Sequence, residues 1–255
     1  MPLEVVTIPC LSDNYAFLAH DTQTGTTALI DIPEAQPILD ELGKRGWTLD
    51  TILITHHHWD HVEGLADVLA QHPARVVGAL ADKDRLPKLD EAVSEGDTIS
   101  IGAEKGTVID VSGHTINHLA FHFPDSKAVF TADSLMAMGC GRVFEGTKPQ
   151  MYDSLCKLAA LPEDTVVYSG HEYTKTNAKF ALTVDPENPD LKARVKEIET
   201  LRAQGKATVP SRLGLELATN PFLRAHDPAI AQHLDMQGAD PKDVFAEIRT
   251  RKDLF

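Results

Sequence analysis

The seven residues Thr55-His56-His57-His58-Trp59-Asp60-His61, which follow the apolar run Thr51–Ile54, constrain this chain more than any other stretch. His56, His58, Asp60 and His61 fall within six residues, and imidazoles with a carboxylate are the donor set for zinc and similar divalent ions. Their spacing of i, i+2, i+4, i+5 fits no single helix face and no single strand face. A loop that turns His56 and His58 one way and Asp60 and His61 another accommodates it, so the motif predicts ligands for two adjacent metals. Alone, the same residues would also describe an exposed polar turn with a chance histidine cluster. The rest of the chain argues against that by supplying further ligands.

Four predicted strands end in such a group. Thr51–Thr55 runs into His56, and Thr107–Val111 reaches His114 through Ser112-Gly113. Ala128–Ala132 runs into Asp133, and Thr165–Tyr168 reaches His171 through Ser169-Gly170. Neighbouring strand ends gather such groups at one sheet edge, where α/β enzymes commonly place their sites. Singly each is weak, because an Asp after a strand is usually a turn or cap and a Gly-His is usually a surface or packed histidine. Together they make two sets. His56, His58 and His114 offer three nitrogens to one ion, Asp60, His61 and His171 serve the other, and Asp133 bridges both with its two oxygens. That leaves room for a bridging hydroxide held by Asp60, Asp133 and the histidine ligands. Two such ions lower the pKa of a shared water and polarise a carbonyl, which is hydrolytic chemistry without a protein nucleophile.

No GxSxG elbow is present, and Cys10, Cys140 and Cys156 lack a local catalytic motif, so they are expected to be core or reduced spectators. His57 lies between two ligands and is expected to point away. His118 and His122 alternate on a strand, while His20, His72, His226 and His233 have no ligand companions. All six are expected to be structural or solvated, with His118 the one that has a route to the site.

The bulk properties narrow the class. A length of 255 residues suits one large domain, or a medium one with a smaller partner. Hydrophobic residues at 42% and charged ones at 24% are ordinary for a soluble globular chain. No apolar run approaches the ~18 residues of a membrane span, so no membrane partner is expected. The opening MPLEVVTIPC has no basic region and carries Glu4 early, unlike a secretory signal. Three widely spaced cysteines fit a reducing compartment better than a disulfide framework, and the expected location is cytoplasmic. A formal net charge of −14 repels nucleic acid and argues against a nuclease. Monomer is the default oligomeric state.

Strands are expected at Leu3–Pro9, Tyr15–Ala19, Thr26–Ile32, Thr51–Thr55, Arg75–Gly78, Thr107–Val111, His118–Phe123, Ala128–Ala132 and Thr165–Tyr168, from their Val, Ile, Thr and Phe content and their Gly, Pro or Asp ends. Pro37–Arg45 and Pro149–Leu161 carry apolar residues at helical spacing. After Gly170 the texture becomes helical. Thr174–Val184, a stripe of Leu191, Val195, Ile198 and Leu201, and Pro241–Thr250 read as helices, broken by Asp185-Pro186-Glu187-Asn188-Pro189 and Asn220-Pro221. The expected class is therefore α/β (α+β), with a metal-binding domain over 1–171 and a helical domain over 172–255.

HxHxDH, then GHT, a strand-end Asp and a GH resemble the metallo-β-lactamase superfamily. Ala132-Asp133-Ser134-Leu135, Gly139-Cys140-Gly141-Arg142-Val143-Phe144-Glu145-Gly146, Gly170-His171-Glu172-Tyr173-Thr174, Asn220-Pro221-Phe222-Leu223-Arg224 and Arg251-Lys252-Asp253 resemble glyoxalase II, the hydroxyacylglutathione hydrolases, across essentially the whole chain. The resemblance implies an αββα sandwich with a C-terminal helical domain. It also implies hydrolysis of S-D-lactoylglutathione to D-lactate and glutathione, the second step of methylglyoxal detoxification, by a metal-bridging hydroxide. Two divalent ions are implied, zinc first, with iron or manganese suiting the same ligands. Glutathione-binding roles carry over to Arg142, Phe144, Tyr173, Arg249 and Lys252. Arg142 and Phe144 stand where the family often has Lys and Tyr, so the charge is kept and a phenol hydroxyl is not.

Other readings make different demands. A secreted β-lactamase needs a signal peptide, a lactonase does not need the basic C-terminus, and a persulfide dioxygenase uses one iron, whereas His58, Asp60, His61 and His171 favour two metals. A non-catalytic metal- or glutathione-binding module would show no turnover.

Overall fold

The computed structural model describes residues 3–255. Two compact units divide the chain. One holds the chain up to Asp110 together with Asn117–Ala132, and the other holds Val111–Ile116 and Asp133–Phe255. Two of the three switches between units fall beside the candidate ligands His114 and Asp133.

The first unit is mixed α/β, as expected. Strands β1 (Glu4–Cys10), β2 (Asn14–His20) and β3 (Thr27–Ile30) form an antiparallel meander. Helix α1 (Ala35–Arg45) crosses to β4 (Thr51–Leu53), which runs parallel to β3. Short helices α2 (Trp59–Val62) and α3 (Leu65–Gln71) then lead to β5 (Arg75–Ala79) and β6 (Glu91–Val93), which complete the sheet in parallel. β2 and β4 are buried at every residue, so they are read from continuous apolar runs rather than alternation. A second, antiparallel ladder follows: β7 (Thr98–Ile101), β8 (Glu104–Asp110), β9 (Leu119–Phe123) and β10 (Ala128–Ala132). Phe17 of β2 meets Phe130 of β10 with ring centroids 5.8 Å apart, and both are buried, which joins the two sheets face to face.

α1 shows how sequence sets an element. Ile38 and Leu42 form its buried stripe. Gly46 at φ 66° stops it, with Gly46 N–H donating to Gly43 O and Trp47 N–H to Leu42 O, a left-handed cap that spends otherwise orphaned carbonyls.

The second unit opens on a hairpin of β11 (Leu135–Met136) and β12 (Gly139–Cys140). Then come α4 (Lys148–Ala159), β13 (Val166–Ser169), α5 (Thr174–Val184), α6 (Pro189–Ala203), β14 (Ser211–Arg212), α7 (Leu213–Thr219), α8 (Pro228–His233) and α9 (Pro241–Leu254). Four of these helices start on one device, a capping side chain followed by proline in the first turn. Thr147, Asn188, Asp227 and Asp240 accept main-chain N–H bonds ahead of Pro149, Pro189, Pro228 and Pro241. Met138 of the hairpin packs with Ala178, Ala181, Leu191, Val195 and Ile198 between α5 and α6.

Departures from the expected elements are all short. β6, β7, β11, β12, β14, α2, α3, α7 and α8 span at most seven residues each, too few for periodicity to register. β14 pairs with β13, so the tail expected to be helical also supplies a strand.

Candidate metal centre

In the first unit the motif leaves the sheet where β4 ends. Ile54 N–H still donates to Val77 O at 2.9 Å, and beyond it Thr55–His58 form an irregular loop closed by α2. The loop gathers its donors closely, with the His56 ring centroid 4.8 Å from that of His58 and 4.2 Å from that of His61. His56 Nε2 lies 3.2 Å from His58 Nδ1, and His61 Nε2 lies 3.9 Å from Asp60 Oδ2.

Hydrogen bonds on the far side of the rings set which nitrogen faces inward. Thr55 Oγ1 donates to Asp31 Oδ2 at 2.8 Å, so its lone pair accepts from His56 Nδ1 at 3.0 Å. His61 Nδ1 donates to Asp31 Oδ2 at 2.8 Å. Both rings therefore carry their proton on Nδ1 and present Nε2 as a lone pair, the orienting arrangement that metal-binding histidines use. His56 and His61 are buried, and the Asp60 carboxylate lies beside His61 Nε2. Neutral imidazole lone pairs and a carboxylate in a buried pocket are a donor set that fits a divalent cation.

In the second unit, His114 Nε2 and His171 Nε2 approach the same oxygen, Asp133 Oδ2, at 3.4 and 3.3 Å. His114 Nδ1 donates to Arg142 O at 2.7 Å, so this ring also turns Nε2 inward. Gly141 makes the arrangement possible. A Cβ there would collide with the Asp133 carbonyl oxygen and stand 3.0 Å from His114 Nδ1.

The residues expected to bind glutathione gather around this half. The Phe144 ring, 61% exposed, lies edge-on to His114 at 5.3 Å, and Tyr173 stacks on His171 at 4.7 Å. Arg142 lies 5.9 Å over Phe144 and 3.5 Å from Asp253. Lys252 sits over Phe180 and Phe255, and burial, reinforced by the Arg249 guanidinium, pulls its ammonium down to about 8. Arg249, also expected among the glutathione-binding residues, engages its guanidinium within the protein. It is buried over Phe222 and donates to Cys140 O at 3.0 Å, Gly141 O at 3.5 Å and the Asp253 carboxylate at 2.9 Å.

Several contributors escape the sequence. Asp31 closes β3 at φ 57° and orients both Thr55 and His61; its signal is a strand end in Asp, obscured when the strand is read through to Ile32. Asn14 donates to Asp60 Oδ2 at 3.0 Å, and Asp82 Oδ2 accepts from His57 Nδ1 at 3.1 Å. His118, which the sequence did single out as having a route to the site, is buried and stacks on His56 at 4.5 Å. Burial pushes the Cys10 thiol up to about 12 and Cys140 to about 11, so neither is a thiolate nucleophile at neutral pH.

Residues 21–171 match the family model of the metallo-beta-lactamase superfamily, and residues 172–255 match that of the hydroxyacylglutathione hydrolase C-terminus. Solved structures share the fold. They include an ETHE1 from Myxococcus xanthus (TM-score 0.70, 24% identity, covering 100% of this chain and 92% of that one) and the B3 metallo-beta-lactamase BLEG-1 (0.67, 18%, 86% and 99%). The chain is 64% identical to a hydroxyacylglutathione hydrolase of Ruegeria pomeroyi and 62% identical to one of Roseobacter denitrificans, each over the full length of both proteins. It belongs to the hydroxyacylglutathione hydrolase family and is a thioester hydrolase. Among the described residues, no helix is long and apolar enough to cross a membrane.

Proposed function

We propose that this protein is a binuclear metal-dependent thioesterase that hydrolyses S-D-lactoylglutathione to D-lactate and glutathione. His56, His58, His114 and Asp133 would hold one ion, and Asp60, His61, His171 and Asp133 the other, with zinc favoured by the nitrogen-rich donors. The observation that carries this reading is the sharing of Asp133 Oδ2 by two imidazoles. A pair of divalent ions supplies an activated water and a polarised carbonyl when bound. The chain's own residues hold the ligand tautomers: Asp31 through His61 and Thr55, and the Arg142 carbonyl through His114. In this reading 1–171 carries the metals and 172–255 the glutathione moiety, three free thiols support a reducing, cytoplasmic setting, and the protein acts as a monomer.

The exposed rings of Phe144 and Tyr173 flank the ligand histidines of the second unit and suit the apolar parts of a thioester, while Arg142 and Lys252 suit its carboxylates. Arg249 contributes by holding Cys140 and Gly141. The test is turnover by metal-loaded protein on S-D-lactoylglutathione beside a penicillin. Fast thioester hydrolysis with weak or absent β-lactam hydrolysis is expected, and comparable rates on both would contradict the reading.

Lys252 gives the binding site a pH signature. Its ammonium is protonated below about 8 and neutral above, and only the cation attracts a carboxylate. KM for the glutathione thioester should therefore be flat below pH 7 and rise about tenfold by pH 9, following one-proton titration. Lys252→Arg keeps its charge and should flatten the profile, whereas Lys252→Ala should show raised KM throughout. A wild-type KM unchanged to pH 9 would remove Lys252 from the substrate site.

A further inference from the structure

Beneath the hairpin that follows Asp133 lies a buried ion pair that the binding and catalytic roles above leave unused. Glu216 on α7 is fully buried and bonded to the buried Arg194 of α6. Desolvating two charges commonly cancels their attraction, and apolar replacements of such pairs are often neutral or stabilising. Stability alone is thus a poor reason for placing a carboxylate there.

The hairpin needs external support. Its ladder is two residue pairs, Leu135↔Cys140 and Met136↔Gly139, and so short a hairpin does not hold itself. Its turn places Met138 at φ 61°, a left-handed conformation that is unfavourable for a non-glycine residue. The main chain of the turn is instead bonded outward to side chains. Met138 N–H donates to Glu216 Oε2 at 2.8 Å. The Asn220 amide donates to Met136 O at 3.2 Å, to Gly139 O at 3.0 Å and to Glu216 Oε2 at 3.1 Å. Asn177 donates to Ala137 O at 3.1 Å. Glu216 therefore grips the turn twice, directly and by orienting Asn220. Its second oxygen is held by Arg194, which is itself anchored to Thr219 Oγ1 at 2.6 Å, so the carboxylate cannot rotate.

Both ends of this hairpin bear on the metal ligands. Asp133 precedes it, and Gly141 N–H returns to Ser134 O at 3.1 Å. The next carbonyl, Arg142 O, fixes His114. We propose that Glu216 is a positioning residue for the metal centre: by locking the turn at 136–139 it sets the placement of Asp133 and the tautomer and tilt of His114. The inference rests on the metal-binding role of those two residues.

The test uses zinc-loaded full-length protein. Glu216→Gln keeps the shape but removes the charge and sets an amide against Arg194. Arg194→Met/Glu216→Leu preserves volume and leaves no unpaired charge in the core, so the only loss is that of the turn's polar contacts, the Met138 N–H and Asn220 amide losing their acceptor and Thr219 its donor. Three quantities are compared: the chelator concentration that strips half the metal, kcat against KM for the thioester, and the melting temperature of the metal-free form. Both variants should lose metal at chelator concentrations about tenfold lower, the scale seen when outer-sphere supports are removed, with kcat lowered and KM within about twofold. A purely structural role moves only the melting temperature. If the double variant is stable and keeps wild-type metal retention and kcat, the inference is overturned. It is also overturned if neither variant folds, which would assign the pair to stability. Should Glu216→Gln alone fail to fold, the double variant decides. A wild type that retains no metal sinks the metal reading itself, and this inference with it.

Discussion

Asp133→Asn is expected to lower kcat by about a thousandfold or more while leaving the fold intact. The carboxylate sits where His114 Nε2 and His171 Nε2 converge, 3.4 and 3.3 Å from one oxygen. An asparagine has the same shape but no charge, and one end of its amide is a donor with no lone pair for a cation. If Asp133 serves both ions, the substitution weakens both at once and strips the activated water of its setting. Losing even a single preorganised contact to developing charge costs about a hundred- to a thousandfold in other hydrolases, and a shared ligand should cost at least that. The checks are kcat with metal content measured on the same sample, and the melting temperature of the metal-free protein, which an isosteric change should barely move. Retention of more than about a tenth of kcat at full metal content would show that Asp133 is not shared.

Gly141→Ala should be comparably damaging through sterics alone. The added methyl would overlap the Asp133 carbonyl oxygen and press on His114 Nδ1. These neighbours cannot yield cheaply, because one is backbone beside a candidate ligand and the other is a ring fixed to Arg142 O. Overpacking of this kind costs about 1–3 kcal/mol when the surroundings can relax, and here relaxation displaces His114 or Asp133. The expected result is loss of bound metal and of turnover beyond what the drop in melting temperature explains. Wild-type metal content in Gly141→Ala would mean that the segment moves freely and that the close approach is incidental.

The donor chemistry was legible because it lies in local order: His56, His58, Asp60 and His61 share one loop, and His114, Asp133 and His171 each follow a strand. Sequence spacing also carried the local conformation, since i, i+2, i+4, i+5 fits no single helix or strand face and the motif does lie in an irregular loop closed by α2. The supports were not legible. Asp31 orients His61 from 30 positions away, and Glu216 reaches Met138 across 78; no periodicity encodes contacts of that range. Arg249 shows the same limit. Its helical spacing from Lys252 was readable, but its burial against Cys140 and Gly141 arises from how α9 packs, which one helix cannot reveal. The short strands β6, β7 and β14 were lost for want of length, while α5, at Thr174–Val184, matched its expected limits because Asp185-Pro186 ends it chemically.

The most direct measurement is a titration of metal-free protein with zinc, following bound metal and S-D-lactoylglutathione hydrolysis together. The account predicts that activity climbs to a plateau as about two equivalents bind, and that His58→Ala and His171→Ala each bind less metal and lose turnover. Full activity in metal-free protein, or a plateau at one equivalent that further zinc leaves unchanged, would contradict the binuclear centre.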